Sequence, residues 1–83
     1  MKVTKVYIVM KEDVRRGETY PLKCFRNEKK AIEFLKLSVD ETVKNTKLSV
    51  LNISDKNKKI YYDDEDAYYD YEYSYYIVTK ELN

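Results

Sequence analysis

The chain has no histidine and no tryptophan, and only one glycine, one proline and one cysteine among its 83 residues. Each shortage excludes something. Without histidine, the usual general base, the usual proton shuttle and the commonest transition-metal ligand are missing. A single cysteine, Cys24, rules out a disulfide within the chain and, with no histidine to activate it, makes a poor nucleophile. Gly17 alone cannot build a phosphate-cradling loop, and the chain carries neither a P-loop nor a dinucleotide fingerprint. The N-terminal apolar run, Val6–Met10, falls far short of the ~20 residues that span a bilayer, and no small-residue cleavage site follows it. The expectation is a soluble, cytoplasmic protein that is not an enzyme, binds no cofactor and enters no membrane.

What the chain does have is charge and tyrosine. Charged residues make up 37% of it, against roughly 25% in average domains, while the hydrophobic fraction of 43% is ordinary for a globular protein. A chain of this length supports one domain, residues 1–83, with a thin core. The net charge of +1 conceals an asymmetry. Residues 1–60 hold 15 of the 16 bases and 8 of the 15 acids, a surplus of +7; residues 61–76 hold six acids and no base. Segregation of this kind suggests a charged partner or self-association.

Hydrophobic periodicity predicts an α+β fold. Residues 2–11 are apolar on both faces, which suits a strand interior to a sheet. Charges gather around Gly17, where a turn needs positive φ. Residues 19–25 resume alternation with Tyr20, Leu22 and Cys24 on one apolar face, where the Cys24 thiol is expected to be buried. Pro21, which cannot donate to a ladder, means that this strand lies at an edge or begins near Pro21. Asn27 is a good N-cap for a helix over Asn27–Leu37, whose Ala31, Ile32, Leu35, Val39 and Val43 fall within one arc. Phe34 flanks that arc and Leu37 lies outside it. Ser38–Glu41 has capping-box spacing, so a break near Ser38 is one option. Residues 47–53 read as a strand, 55–59 as a turn, 59–62 as a strand and 71–82 as the strongest strand, with Tyr71, Tyr73, Tyr75 and Ile77 on one side. The order β-β-α-β-β-β predicts a small antiparallel sheet with one main helix packed on a face.

The most unusual feature is the stretch Tyr61–Tyr76, which contains eight of the ten tyrosines. The candidate partner-binding residues are Asp63, Asp64, Glu65, Asp66, Tyr68, Tyr69, Asp70, Tyr71, Glu72 and Tyr73. Tyrosine gives large contact area with few rotors, and interleaved carboxylates repel one another until a cationic partner relieves them. Spaced negative charge with flat rings imitates a nucleic acid, so the expected partner is the basic groove of a nucleic-acid-binding protein. The bland account is also physical: tyrosines filling a strand, and acids pairing in cis with Lys29, Lys30 and Lys36 or guarding an aggregation-prone strand. Asp63–Asp66 lacks the spacing and turn glycine of an EF-hand, so no metal site is expected. Two other uses of the chain compete. One is direct nucleic-acid binding by Arg15, Arg16, Lys23, Arg26, Lys29 and Lys30. The other is a homodimer formed through a strand edge or a Phe34/Leu37 patch.

The segment YDDEDAYYDYEYSYYIVTKELN, Tyr62–Asn83, resembles the acidic C-terminal part of a small type II-A anti-CRISPR family from Listeria prophages. That resemblance covers about a quarter of the chain. It implies a phage-type inhibitor whose carboxylates and tyrosine occupy the PAM-reading cleft of Cas9. In that family the acids lie among helices after a three-stranded sheet, whereas here they precede a tyrosine-rich strand.

Overall fold

Alternation in the first ten-residue segment produces β1 (Thr4–Asp13), and Asp13 begins the turn that returns the chain as β2 (Glu18–Phe25). The computed structural model describes residues 4–44, 48–62 and 73–82. At the turn, Gly17 adopts φ 67° and its N–H donates to the Asp13 carbonyl at 2.8 Å. A side chain is strained in that left-handed conformation, so the only glycine sits where one is needed. After the hairpin come α1 (Glu28–Val43), β3 (Leu48–Ser54), β4 (Asn57–Tyr62) and β5 (Tyr73–Leu82). The expected β-β-α-β-β-β order and α+β class are therefore observed.

The five strands form one sheet in the order β2-β1-β5-β4-β3, with every neighbouring pair antiparallel. β1 is interior, as its two apolar faces required, and β2 is an edge, the first of the two placements that Pro21 allowed. β5 fills the centre. It pairs with β1 along its whole length, from Asp13↔Tyr73 to Thr4↔Leu82, and with β4 over its first four residues, Tyr73–Tyr76. Within the sheet, the two hairpins are thus joined only through β5.

α1 covers one face. Its N-terminus is set by Asn27, whose Oδ1 accepts from the Lys30 N–H at 3.1 Å, and Glu28 in the first turn complements the helix dipole. Ala31, Leu35 and Val39 are buried against Val9, Ile60 and Tyr75, with Tyr7, Phe25, Phe34, Val43, Val50, Tyr73 and Ile77 packed around them. Leu37 points away and is 63% exposed. The helix does not break at Ser38. Ser38 Oγ donates to the Phe34 carbonyl at 2.9 Å instead of capping a new turn, and Thr42 Oγ1 donates to the Ser38 carbonyl at 2.8 Å. Both hydroxyls are satisfied within the helix, including that of Ser38, where the break was an option.

Two expectations need correction. β2 does not keep Tyr20, Leu22 and Cys24 on one face, because the register slips between Val9 and Met10: Val9 faces Lys23 while Met10 faces Pro21. Leu22 is the additional residue of a bulge, a common place for a strand to tolerate a neighbouring proline. Tyr20 then lies level with Lys11 on the helix side, while Cys24 lies level with Ile8 on the other side, where it is exposed rather than buried. The second correction concerns 55–59. Only Asp55 and Lys56 form the turn, and β4 begins at Asn57. Lys58 is buried on the helix side and its Nζ donates to Asn52 Oδ1 at 2.8 Å, so a residue that looks like turn composition carries part of the ladder.

Candidate partner-binding site

The acidic stretch is anchored by the sheet at both ends. Ile60 of β4 pairs with Tyr73 of β5, so the chain that leaves β4 at Tyr62 re-enters the sheet beside the strand it left. Asp63, Asp64, Glu65, Asp66, Tyr68, Tyr69, Asp70, Tyr71 and Glu72 all lie in 63–72, outside the described residues. Tyr73 is the one candidate residue the structure describes. Its ring packs against the core on the helix side, half-buried, with Lys11 Nζ 4.4 Å from its centroid. The next three tyrosine-strand positions divide as alternation predicts. Tyr75 is buried under α1, while Ser74 and Tyr76 belong to the opposite face, Tyr76 level with Met10.

Lys11 organises this end of the covered face, a role the sequence left unassigned. Its ammonium lies over Tyr73 and, at 5.5 Å, over Tyr75. Burial by itself lowers its pKa, yet the hydrogen bond to Tyr75 and the neighbouring Tyr75, Tyr20 and Tyr73 phenols raise it above the ordinary 10.5. The Tyr75 hydroxyl is 2.9 Å from Thr42 Oγ1. Because Thr42 spends its own proton on Ser38, the Tyr75 hydroxyl must be the donor to Thr42. A polar chain therefore runs from Lys11 through Tyr75 and Thr42 into the last turns of α1. It holds the start of β5 in place. The signal was present in the alternation of β1, since Lys11 falls on the same side as Tyr7 and Val9.

Cationic side chains flank the anchor. The hairpin tip carries Arg15 and Arg16, which line a cleft of about 380 Å³ together with Asp13 and Tyr73. Arg16 is tied back to its own strand, its Nε 3.8 Å from Asp13 Oδ2 and its N–H donating to Asp13 Oδ1 at 3.3 Å. Lys29 and Lys30 stand in the first turn of α1, whereas the last turn contacts Tyr75. At 1.5 Å per residue they are about 18 Å from that end of the sheet. Lys36 lines a separate cleft of about 240 Å³ with Val39, Asp40, Val50, Asn52 and Lys58. The basic residues expected to act together are divided as well. Arg15 and Arg16 precede β2, Arg26, Lys29 and Lys30 follow it, and Lys23 lies over the rings of Phe25 and Phe34 on the helix side. An eight-residue strand separates the two groups by roughly 26 Å.

Among the described residues, no group of three or more cysteine, aspartate or glutamate side chains is placed to hold a metal ion. No helix among them is long and apolar enough to cross a membrane. No protein-family model, curated protein or solved structure matches the chain.

Proposed function

We propose that this protein is a non-catalytic inhibitor that binds a host nucleic-acid-handling enzyme, of the CRISPR-defence kind, by presenting its acidic segment to the enzyme's cationic groove. The observation that carries this is the placement of six acids and no base between two adjacent strands of a packed sheet. A segment tethered at both ends by paired strands loses less freedom on binding than a free tail of the same composition, which favours tight association. Asp63, Asp64, Glu65, Asp66, Asp70 and Glu72 supply the charge, and Tyr68, Tyr69 and Tyr71 supply contact area. Tyr73 serves as an anchor. Direct nucleic-acid binding has less support, because the basic residues are split between two ends of β2 and the acidic segment repels phosphate.

The test is inhibition of guided DNA cleavage by a type II-A Cas9, wild type against a variant with Asp63, Asp64, Glu65 and Asp66 all replaced by serine. The wild type is expected to inhibit, with an apparent affinity that falls steeply as salt rises. The variant is expected to lose inhibition while keeping its circular dichroism spectrum. Undiminished inhibition by the variant would falsify the assignment of these carboxylates.

A further inference from the structure

We propose that the cleft between α1 and the β3–β4 hairpin is a binding site for a small monocarboxylate. The Lys58 ammonium holds the carboxylate, and Val39 and Val50 receive an apolar tail. Among the described residues, this cleft of about 240 Å³ is lined by Lys36, Val39 and Asp40 from α1 and by Val50, Asn52 and Lys58 from the hairpin. None of the six belongs to the acidic segment.

Lys58 is the anomaly that points to a ligand. It is only 8% exposed. A lysine so deeply buried ordinarily has an anionic partner, because an uncompensated charge is costly away from water. Here Nζ has one acceptor, the neutral Asn52 Oδ1 at 2.8 Å, and it is in no ion pair with a described residue. An ammonium carries three donors, so two are unspent. Asn52 stands opposite Lys58 in the β3–β4 pairing and lines the same cleft, which fixes the ammonium there. A carboxylate in the cleft accepts from both remaining donors in charge-assisted bonds.

The rim and the walls set the class of ligand. Lys36 and Asp40, one turn apart on α1, are exposed, and neither is ion-paired with a described residue. Lys36 adds attraction for an anion. Asp40 limits it: a single negative charge is tolerated beside two cations and one acid, whereas a dianion such as phosphate is penalised. Val39 and Val50 belong to or pack against the core and form an apolar wall, which favours a short branched tail over a bare ion. The volume suits a molecule smaller than the drug-sized ligands of larger pockets.

Amide chemical shifts, followed at constant ionic strength during titration with isovalerate, isoamyl alcohol or inorganic phosphate, test the site. Isovalerate is expected to shift the amides of Lys36, Asp40, Asn52 and Lys58 saturably, with a Kd on the order of 1 mM, as befits so small a ligand. Isoamyl alcohol, which keeps the tail without the charge, and phosphate at about pH 8, which keeps the charge without the tail, should bind at least about tenfold more weakly. Lys58→Met preserves the stem and should weaken isovalerate about tenfold or more, with the circular dichroism spectrum unchanged. Asp40→Asn, at an exposed position that leaves folding intact, should act in the opposite sense and tighten phosphate binding about two- to threefold. Lys29→Met, in the first turn of α1 and outside the cleft, should change nothing. Absence of saturable shifts with isovalerate overturns the site, and so does a folded Lys58→Met variant that binds as wild type does. Equal binding of isoamyl alcohol or phosphate overturns the ligand class. Unchanged phosphate binding by Asp40→Asn overturns the role of the rim.

Discussion

Under α1, Val9, Ile60 and Tyr75 are closed to solvent, whereas on the reverse side their strand neighbours Ile8, Lys59 and Tyr76 are only half-covered. The same strands supply both sides, so propensity does not explain the difference. What distinguishes them is the presence of a cover. On the covered side the helix offers small and branched residues, Ala31, Leu35 and Val39, which let it lie close, and the polar chain from Lys11 to Ser38 ties sheet to helix. The reverse side sets Ile8, Met10 and Tyr76 beside a polar row of Glu12, Ser74 and Lys59, and no described helix covers it, although Ser74 is buried.

The largest effect should come from the covered side. Leu35→Ala removes a fully buried side chain and should lower the unfolding free energy by about 2–5 kcal/mol, read from urea denaturation. For a domain this small that is much of its total stability. Tyr75→Phe should cost about 1 kcal/mol, because Thr42 loses a donor and Lys11 loses an acceptor while the ring stays packed. Val78→Ala, on the bare side, should cost no more than about 0.5–1 kcal/mol in dilute solution. If Val78→Ala proves as damaging as Leu35→Ala in dilute solution, the contrast between the faces is wrong. The smallest effect is expected from Lys11→Met. The folded-state pKa of Lys11 is raised, so its charge contributes stability that is full below the ordinary value of 10.5 and is lost as pH rises through the raised value. Thermal melts should therefore show a shallower alkaline decline for Lys11→Met than for wild type, the small deficit of the variant being full near neutrality and closing as pH rises through the raised value.

Features that depend on one residue's chemistry were legible in the sequence. Pro21 announced an edge, Asn27 announced a helix start, Gly17 announced a left-handed turn, and the alternation of Tyr73, Tyr75 and Ile77 announced the core side of β5. What escaped were features that depend on two segments meeting. The bulge opposite Val9 and Met10 exists only because β1 and β2 pair, and it reverses the facing of Tyr20 and Cys24. Lys58 reads as turn composition until Asn52 stands beside it across the hairpin. Ser38 has a capping residue's spacing, but burial of Val39 in the core keeps the helix running through it. The candidate site was legible as composition, and Tyr73 is its one described member.

The position of β5 has a consequence for how the molecule comes into being. Of the five described strands, the one at the centre of the sheet comes last along the chain. Until residues 73–82 leave the ribosome, the β1–β2 and β3–β4 hairpins have no strand in common, and neither alone has a sheet wide enough to be stable in water. Folding must wait for distant partners, Thr4 with Leu82 among them, which makes it non-local and slow for its size. Nascent chains stalled before residue 73 should be open to protease throughout. Protection should arrive in one step once β5 is free to insert.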